Sequence, residues 1–522
     1  VTKWLKAGLN LSYSNTNQQQ YGGASSGSSY NNLFFFGQNI APIYPIYQYD
    51  LATGERLYGA KGEDLYDWGE MRAFGQLTNP YGQLMTSLSE TISDNMSSRG
   101  YIDIQILKDL KFSANVAYDV FNQKGDFYTT PAGGDAANVN GRGEQSTSRY
   151  TALNANQLLT YYPTWGDHSL NILLGHETKS DTSYGLSGHM TNVVDPTVSD
   201  FSNFITYQGL DSSTTEYFLQ GFFGRAEYSY ANKYTVSGSY RRDASSRFHP
   251  DRRWGAFWAV GASWNLKQES FLAGVGAIDY LRLKASYGTQ GNASIGDYQH
   301  LGLVSSSGKY MDASVKYLAR PQSPNLTWEQ QALFTVGLNG RLFNRLDFNV
   351  EFYNRTTTDM LMDVPYNYTT GVSSLKENVG SLSNTGVDVT LGVDILQGKD
   401  YYLRASTTFN YNNEKVTSLF KGLQRWEITG TGIAYVVGEP VMFYAPVYAG
   451  IDPEDGAPMW YLPGENVDVT TMDETTKKWD EAGLTQNIGK RLNPPVYGGF
   501  SINAGWRGFS LLADFSYVLG KT

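Results

Sequence analysis

The segment Leu346-Asp347-Phe348-Asn349-Val350-Glu351-Phe352-Tyr353 alternates between apolar and more polar residues. In a β-strand, successive side chains point to opposite faces, so this segment would have one apolar and one polar face. The same alternation runs through residues 281–287 and 387–395. A soluble β-sandwich also shows such a pattern. A membrane barrel is favoured because the polar face carries charge, and because the apolar strips match the roughly 9 to 11 residues of a tilted spanning strand.

Composition also favours a barrel. The 522 residues include 39 Tyr and 11 Trp, which suit the boundary between lipid and water. No run of about 18 apolar residues occurs, so a transmembrane helix is excluded, and a spanning chain must form a closed sheet. The absence of Cys excludes disulfides and thiolate chemistry. A net charge of −10 argues against nucleic-acid binding.

Alternation predicts about fifteen strands, a single one followed by pairs with short turns. They run at residues 4–13, 101–106, 110–118, 152–162, 168–179, 216–230, 234–242, 254–266, 280–288, 331–342, 346–354, 386–396, 401–412, 498–505 and 509–519. Long polar segments separate the pairs, at about 14–97, 120–149, 181–213, 289–326, 356–384 and 414–495. Outer-membrane barrels alternate short periplasmic turns with long outer loops in this way. The sequence therefore predicts an all-β, antiparallel transmembrane β-barrel with long extracellular loops.

Three groups of segments carry a resemblance to a known family. They comprise residues 224–234, 239–248, 253–255 and Trp264; then 281–288, 291–292, 295–298 and 325–329; and then 353–362, 378–380 and 384–388. Residues 448–456 and 493–499 add to them. In order and spacing these segments resemble the barrel of SusC-like TonB-dependent transporters, the outer-membrane glycan and peptide importers of the Bacteroidetes. Ala244 departs from the family, which usually has Gly at that position.

The resemblance implies a barrel of 22 strands, an N-terminal plug domain and a segment that interacts with TonB. No plug domain is recognisable in residues 1–522, and about fifteen strands are too few to close such a barrel. We therefore expect residues 1–522 to form one partial TonB-dependent transporter β-barrel domain. The N-terminal plug and the last strands are expected to be missing from it.

The polar residues do not predict a catalytic site. Asp388 and Asp394 could suggest glycoside hydrolysis, but both fall on the polar face of a strand, where a water-filled interior explains them. The five His residues are scattered. The acidic turn from Asp452 to Asp455 lacks the spaced ligands of a calcium loop, although ion binding there stays an alternative. We expect no catalytic residue, no cofactor, no metal site and no enzyme activity.

Aromatic residues cluster in the first and last long loops. Rigid aromatic faces provide large contact areas, so we expect substrate contacts from Tyr47, Tyr66, Trp68, Tyr444 and Trp460. The alternative is that these rings fold the loops on themselves or contact a partner protein.

The resemblance implies TonB-dependent active uptake of a large oligosaccharide, glycan or peptide across the bacterial cell outer membrane. It implies a SusD-like lipoprotein on the extracellular side and TonB, with its ExbB/ExbD motor, acting through the plug region. Outer-membrane lipid would surround the barrel. A passive porin, or a surface carbohydrate-binding adhesin without energy coupling, is the alternative. A secreted, soluble β-rich binding protein is a third possibility.

Overall fold

Antiparallel strands make up most of the structure, a computed structural model that describes residues 2–19, 32–70, 72, 75–311, 313–428 and 431–520. The chain divides into two units. The first comprises Val1–Ile104, Ser113–Asn156 and Glu177–Phe218, and the second comprises Gln105–Phe112, Gln157–His176 and Leu219–Thr522. None of the helices in the described ranges is long and apolar enough to cross a membrane.

The strands have the following bounds: β1 (Leu5–Gln19), β2 (Leu88–Leu107), β3 (Leu110–Thr129), β4 (Arg142–Tyr161), β5 (Thr164–Trp165), β6 (His168–Val193), β7 (Phe204–Tyr230), β8 (Tyr234–Ser245), β9 (Trp254–Asn265), β10 (Ile278–Asn292), β11 (Leu303–Tyr310), β12 (Ala313–Arg320), β13 (Glu329–Leu342), β14 (Leu346–Thr358), β15 (Leu361–Pro365), β16 (Ser374–Asn378), β17 (Ser381–Gln397), β18 (Tyr401–Ser418), β19 (Arg425–Ile428), β20 (Ile433–Val436), β21 (Met442–Pro446), β22 (Tyr448–Ile451), β23 (Pro458–Tyr461), β24 (Thr475–Thr476), β25 (Thr485–Arg491), β26 (Val496–Trp506) and β27 (Phe509–Leu519). The α-helices are short: α1 (Leu33–Asn39), α2 (Pro80–Thr86), α3 (Ser270–Ala273) and α4 (Glu481–Leu484). Short 3₁₀ helices occur at Gly134–Val139, Phe201–Asn203, Leu266–Gln268, Tyr368–Thr370 and Phe420–Gly422.

In the second unit, the strands of the main sheet follow one another in chain order. The order is β7-β8-β9-β10-β13-β14-β17-β18-β26-β27, and each neighbouring pair is antiparallel. The ends of β2, β3, β4 and β6 that belong to this unit are also part of the main sheet, and its other strands lie in the long connections or, as with β5, beside a turn. The short turns use backbone with positive φ, as at Arg507 and Gly508 between β26 and β27. Turns of this geometry match the twist of paired strands, so they close hairpins tightly.

In the first unit, β1 and β2 pair without interruption from Leu5 with Ile104 to Gln19 with Glu90. The part of this pair nearest the long connection is joined by polar side chains as well as by backbone. The Tyr13 hydroxyl donates to the carboxylate of Asp94 at 2.6 Å, and the Asn17 amide donates to Glu90 at 2.8 Å. This part of the hairpin is therefore built for water rather than for lipid.

Each predicted strand coincides with a strand of the structure, which confirms the all-β, antiparallel prediction. The predicted ends were wrong in several strands. Residues 120–129 and 181–193 continue β3 and β6, and the long connections after them shrink to 130–141 and 194–203. Alternation fails there because both strand faces carry polar residues, as at Gln123 and Lys124 in β3 and at Asp181 and Thr182 in β6.

The two faces of the main sheet differ as the sequence pattern predicts. On the apolar face, Val350 is 39% exposed and Leu391 36% exposed, so these side chains are not enclosed in a protein core. On the polar face, Glu351 lies opposite Asp388 in the β14–β17 ladder. Outward apolar and inward polar side chains are typical of a membrane barrel.

Glu269 joins two neighbouring short connections of the second unit. Its carboxylate accepts hydrogen bonds from the Tyr234 hydroxyl at 2.5 Å and from Trp264 Nε1 at 2.8 Å, and it pairs with Lys233 Nζ at 2.7 Å. The pKa of Glu269 is lowered to about 2, mainly by the hydrogen bond from Lys233 and next by the one from Tyr234. The β7–β8 turn is thereby fastened to the segment that follows β9.

Replacing Glu269 by Gln keeps the size of the side chain and removes its charge. We expect the unfolding temperature of the full-length protein to fall by a few degrees at pH 7, measured by its heat-dependent migration in gels, because Lys233 loses its partner. The folded-state pKa lies below the ordinary value of 4.5. The advantage of the wild type is therefore complete above about pH 4.5 and is lost as the pH falls towards 2.

The matched control is Glu465→Gln, because Glu465 is exposed and lies in a loop. This control should unfold like the wild type. Equal unfolding temperatures for Glu269→Gln and the wild type at pH 7 would contradict the role given to this carboxylate.

Candidate functional site

The polar face of the second unit carries paired charges among hydroxyl groups. Lys284 Nζ lies 2.5 Å from Glu351 Oε2, and Arg225 lies 2.5 Å from Glu227 Oε2. An open space of about 470 Å³ beside them is lined by hydroxyl-bearing side chains. These are Thr235, Ser237, Ser263, Ser286 and Thr335. The surface is hydrophilic, and its charges are neutralised in pairs.

A second charged group lies near the short turns of β13, β14, β17 and β18. The guanidinium of Arg404 pairs with Asp394 at 2.8 Å and with Asp347 at 2.9 Å. Arg341 contacts the same two carboxylates, at 3.2 and 3.3 Å. Two cations and two anions thus form a closed network across four strands. Alternation predicts Asp347 on the polar face of its strand, and these contacts confirm that it lies there among other charged side chains.

The family-like segments meet in one hydrophobic cluster at the long-loop ends of the strands. Phe248, Phe257, Ile295, Leu326 and Trp328 are all buried and pack together. The Trp328 ring centroid lies 5.4 Å from that of Phe248 and 5.5 Å from that of Phe257. These residues come from three separate parts of the sequence, so the resemblance reflects shared packing.

Polar contacts extend this cluster and hold the long connections to one another. Arg247 pairs with Asp297 at 2.9 Å. The side-chain amide of Asn378 holds the backbone of Thr327 on both sides, accepting from its N–H at 2.7 Å and donating to its carbonyl at 2.8 Å. Trp328 Nε1 also donates to a backbone carbonyl, that of Arg253, at 2.8 Å. The segments 246–253, 293–328 and 359–380 are therefore tied together.

A polar cleft of about 360 Å³ lies beside Asn378 and Leu326. Its other lining residues are Gln322, Ser323, Pro324, Asn325, Tyr366, Leu375, Lys376 and Glu377. The Tyr366 hydroxyl donates a hydrogen bond to Glu377, and this bond, with burial, raises the pKa of Tyr366. Gln322 and Asn325 are exposed, and the described residues provide no hydrogen-bond partner for either amide. The cleft therefore presents free donors and acceptors next to an aromatic ring.

The predicted aromatic contacts of the first loop are brought together. The ring centroids of Tyr47 and Tyr66 are 5.7 Å apart, and those of Tyr66 and Trp68 are 6.4 Å apart. Tyr66 is 7% exposed and Trp68 8% exposed, so both rings form the interior of this loop. Arg56 lies 3.3 Å above the Tyr47 ring and pairs with Asp64 at 2.5 Å. Burial supports the alternative for Tyr66 and Trp68, namely that they fold the loop; substrate contact stays a prediction.

Tyr444 belongs to a small sheet of β19, β20, β21 and β25 in the last long connection. Its side chain is 2% exposed, and its hydroxyl donates to Asp468 at 2.7 Å. Arg425 lies 4.9 Å from the ring centroid and also pairs with Asp468, at 2.8 Å. Burial, with the hydrogen bond to Asp468, raises the pKa of Tyr444. This ring also supports its loop from inside.

Trp460 lies in a different small sheet, formed by β22, β23 and β24. Its ring packs edge to face against Trp479, with centroids 4.9 Å apart. Trp479 is exposed and Trp460 is half-buried. Of the predicted contacts in the last long connection, Trp460 is therefore the one that remains accessible.

The acidic turn before β23 is paired with a lysine. Lys477 Nζ lies 2.6 Å from Asp452 and 2.9 Å from Asp455. The hydrogen bonds from Lys477 lower the pKa of both carboxylates. Among the residues that the structure describes, no group of three or more His, Asp or Glu side chains is placed to hold a metal ion.

The sequence pattern does not predict the polar cleft or the role of its residues Tyr366, Gln322 and Glu377. These residues lie outside the alternating segments, and nothing in their own types marks them. One signal was available, because Asn325 and Asn378 belong to the family-like segments and both line the cleft. Residues that lie near such motifs in the sequence become candidates for ligand contact once the motifs are known to pack together in the fold.

Replacing Trp328 by Ala should open the hydrophobic cluster of the long loops. Removing a buried Trp costs about 3–5 kcal/mol. We expect protease cleavage within residues 293–328 of the full-length protein to accelerate roughly 100-fold or more, because local opening becomes that much more frequent. Trp479→Ala is the control, since that ring is 54% exposed. Cleavage at the wild-type rate in Trp328→Ala would show that the cluster does not hold these loops.

Comparison with known sequences identifies relatives. The sequence profile of the family described as "TonB dependent receptor-like, beta-barrel" matches residues 128–507, well over half of the chain. TonB-dependent receptor P39 of Formosa agariphila is 29% identical over 364 residues, covering 68% of this chain and 34% of that protein. TonB-dependent receptor SusC of Bacteroides thetaiotaomicron is 25% identical over 406 residues, covering 73% of this chain and 40% of that protein. The chain thus spans less than half the length of these relatives.

A solved structure agrees over the whole chain. The RagAB peptide importer in its closed-closed state superposes with a TM-score of 0.84 at 30% sequence identity, covering 100% of this chain and 57% of that one. The fold and the family-like segments expected from the sequence are thereby confirmed. The chain belongs to the TonB-dependent receptor β-barrel family, among its SusC-like outer-membrane members.

Proposed function

We propose that this protein imports a large polar polymer, an oligopeptide or an oligosaccharide, across the outer membrane by TonB-dependent uptake. The observation that carries the proposal is the likeness to the RagAB peptide importer along the entire chain, at 30% identity. RagAB is named a peptide importer, so an oligopeptide is the first substrate class to test. The protein moves its ligand without making or breaking covalent bonds in it.

The polar face supports this proposal through its chemistry. A polar polymer must exchange hydrogen bonds with water for hydrogen bonds with the wall as it passes. Hydroxyl groups such as those of Thr235 and Thr335 can form such bonds with any segment of a polar polymer. Ion pairs such as Lys284–Glu351 keep the wall from rejecting ligands of one charge. An aqueous route for a polymer needs both properties.

The polar cleft supports the binding step. It lies where the long connections meet, and long loops of outer-membrane barrels face the outside of the cell. The side-chain amides of Gln322 and Asn325 match the donors and acceptors of a peptide backbone or of sugar hydroxyls. Tyr366 adds a ring face beside them. We propose that this cleft contacts the substrate before transport.

The partners follow from the proposed mechanism. A SusD-like lipoprotein would deliver and retain substrate at the outer face. TonB, driven by ExbB/ExbD, would act from the periplasm on a plug region to open the path. This chain would supply the wall and outer loops.

Energy dependence tests the proposal directly. Cells that produce the full-length protein with its SusD-like lipoprotein should accumulate labelled oligopeptides, labelled oligosaccharides or both. The cells are washed, their periplasmic contents are released, and the label in that fraction is measured. In cells without TonB, periplasmic label should fall to the level of cells lacking the importer. Periplasmic uptake that persists without TonB indicates a passive porin and contradicts the proposal. Surface binding with no periplasmic label in either strain indicates an adhesin and contradicts it too.

The cleft is tested by removing its two free amides. The double substitution Gln322→Ala and Asn325→Ala should weaken substrate binding roughly tenfold, because each lost hydrogen bond costs about 0.5–1.5 kcal/mol. Affinity is measured on the purified full-length complex by calorimetry with the oligomer that the cells import. Gln268→Ala is the control, since that exposed amide lies near the short turns. Unchanged affinity in the double variant would remove the cleft from the substrate path.

A further inference from the structure

A groove of about 680 Å³ crosses the apolar face of the second unit. Most of its lining is apolar and includes Leu159, Leu174, Phe222 and Tyr240. Arg242, by contrast, stands at one end of it. A groove that is apolar at one end and polar and cationic at the other matches a lipid, in which an acyl chain is joined to an anionic headgroup.

Arg242 belongs to the apolar face of β8 and not to the polar face. On this strand, Val236 and Tyr240 are each 53% exposed and lie at the same parity as Arg242. Its neighbours Arg241 and Asp243 have the opposite parity and pair with each other at 2.7 Å. In a membrane barrel, Arg242 therefore faces lipid.

The height of Arg242 along the strand places it near the edge of the lipid. The aromatic residues Tyr230 and Tyr234 flank the short turn of this hairpin and mark one boundary. Arg242 lies eight residues further along β8, about 26 Å along the strand at roughly 3.3 Å per residue. With a tilt of about 40°, this is a rise of about 20 Å, close to the roughly 25 Å height of the apolar band. Arg242 therefore lies at the outer-leaflet boundary.

Arg242 has no anionic partner among the described residues. Its guanidinium lies 5.0 Å from the ring centroid of Trp254, which is a cation–π contact and leaves its hydrogen-bond donors free. Charged side chains on a lipid-facing surface are unfavourable, least so at the boundary where they can reach headgroups. An outside anion would satisfy this group.

A short polar row lies on the other side of Phe222. The Gln220 amide donates to His176 Nε2 at 3.0 Å, and His176 Nδ1 then donates to Gln157 Oε1 at 2.7 Å. The His176 ring packs on Phe222 with centroids 4.7 Å apart. Since Phe222 lies directly opposite Arg242 in the β7–β8 ladder, the polar row and the cation lie at one level. This level fits a headgroup and its ester oxygens.

Gly224 supplies the floor of the groove. It lies two residues after Phe222, on the same face of β7 and nearer the short turn, between Leu174 and Tyr240. A Cβ at this position would lie 3.2 Å from Leu174 Cδ2, so even a methyl group would crowd the wall of the groove. The missing side chain leaves a channel for an acyl chain.

We propose that this groove binds one phosphate-bearing lipid of the outer leaflet. The phosphate accepts charge-assisted hydrogen bonds from Arg242, and one acyl chain lies over Gly224 between Leu174 and Tyr240. The site is separate from the substrate path, because it lies on the opposite face of the sheet. It therefore does not depend on the proposed import function.

The full-length protein in detergent is titrated with dioleoyl phosphatidic acid and followed by native mass spectrometry. We expect one tightly held lipid on the wild type. Dioleoylglycerol, which has the same chains without phosphate, should bind at least tenfold more weakly, and millimolar inorganic phosphate should not displace the lipid. Arg242→Gln should weaken phosphatidic acid binding about tenfold. Gly224→Leu should weaken binding of both lipids, because it fills the channel.

Arg225→Gln is the matched control, since Arg225 lies on the polar face of β7 and is 57% exposed. It should bind phosphatidic acid like the wild type. Equal loss in Arg225→Gln and Arg242→Gln would overturn the proposal, as would equal binding of the two lipids or displacement by free phosphate. Heat-dependent gel migration identifies folded samples. If Arg242→Gln does not fold, Arg242→Ala and Gly224→Leu are tested instead. A folded variant of either kind that retains lipid as well as the wild type would also overturn the proposal.

Discussion

The need to satisfy every backbone amide in a medium without water governs this structure. Lipid offers no hydrogen bonds, so a spanning strand must pair on both sides and can vary only in which residues face each way. The main sheet of the second unit meets this demand through consecutive antiparallel ladders. Once the backbone is satisfied, the two faces are free to specialise, and apolar side chains such as Val350 stay exposed on one of them.

The polar face follows from the same constraint. Charges there are solvated by one another and by water, as in the network of Arg341, Asp347, Asp394 and Arg404. Such pairs cost little in a wet interior and give the wall a balanced charge. The same balance explains why Arg242 stands out, since it carries a charge on the face that has no such network.

Alternation predicted the strands well because side-chain direction is a local property of the backbone. It failed where water reaches both faces, so the ends of β3 and β6 were assigned to loops. The loops themselves were less predictable, because their contacts join distant residues. Asn378 hydrogen-bonds to Thr327, which lies 51 positions away, and the type of neither residue predicts this contact. For the same reason Tyr66 and Tyr444 looked like exposed ring platforms, whereas long-range packing buries them. The lipid-facing position of Arg242 follows from its parity on β8, but only once it is known which face of that strand contacts lipid.

The strands are much longer than the bilayer requires. A spanning strand needs about 9–11 residues, whereas β6 has 26 residues and β7 has 27. More than half of each strand therefore need not match the thickness of the lipid, while its backbone ladder still holds it in place. Substitutions in that portion can change the exposed surface of the protein without disturbing how it sits in its membrane.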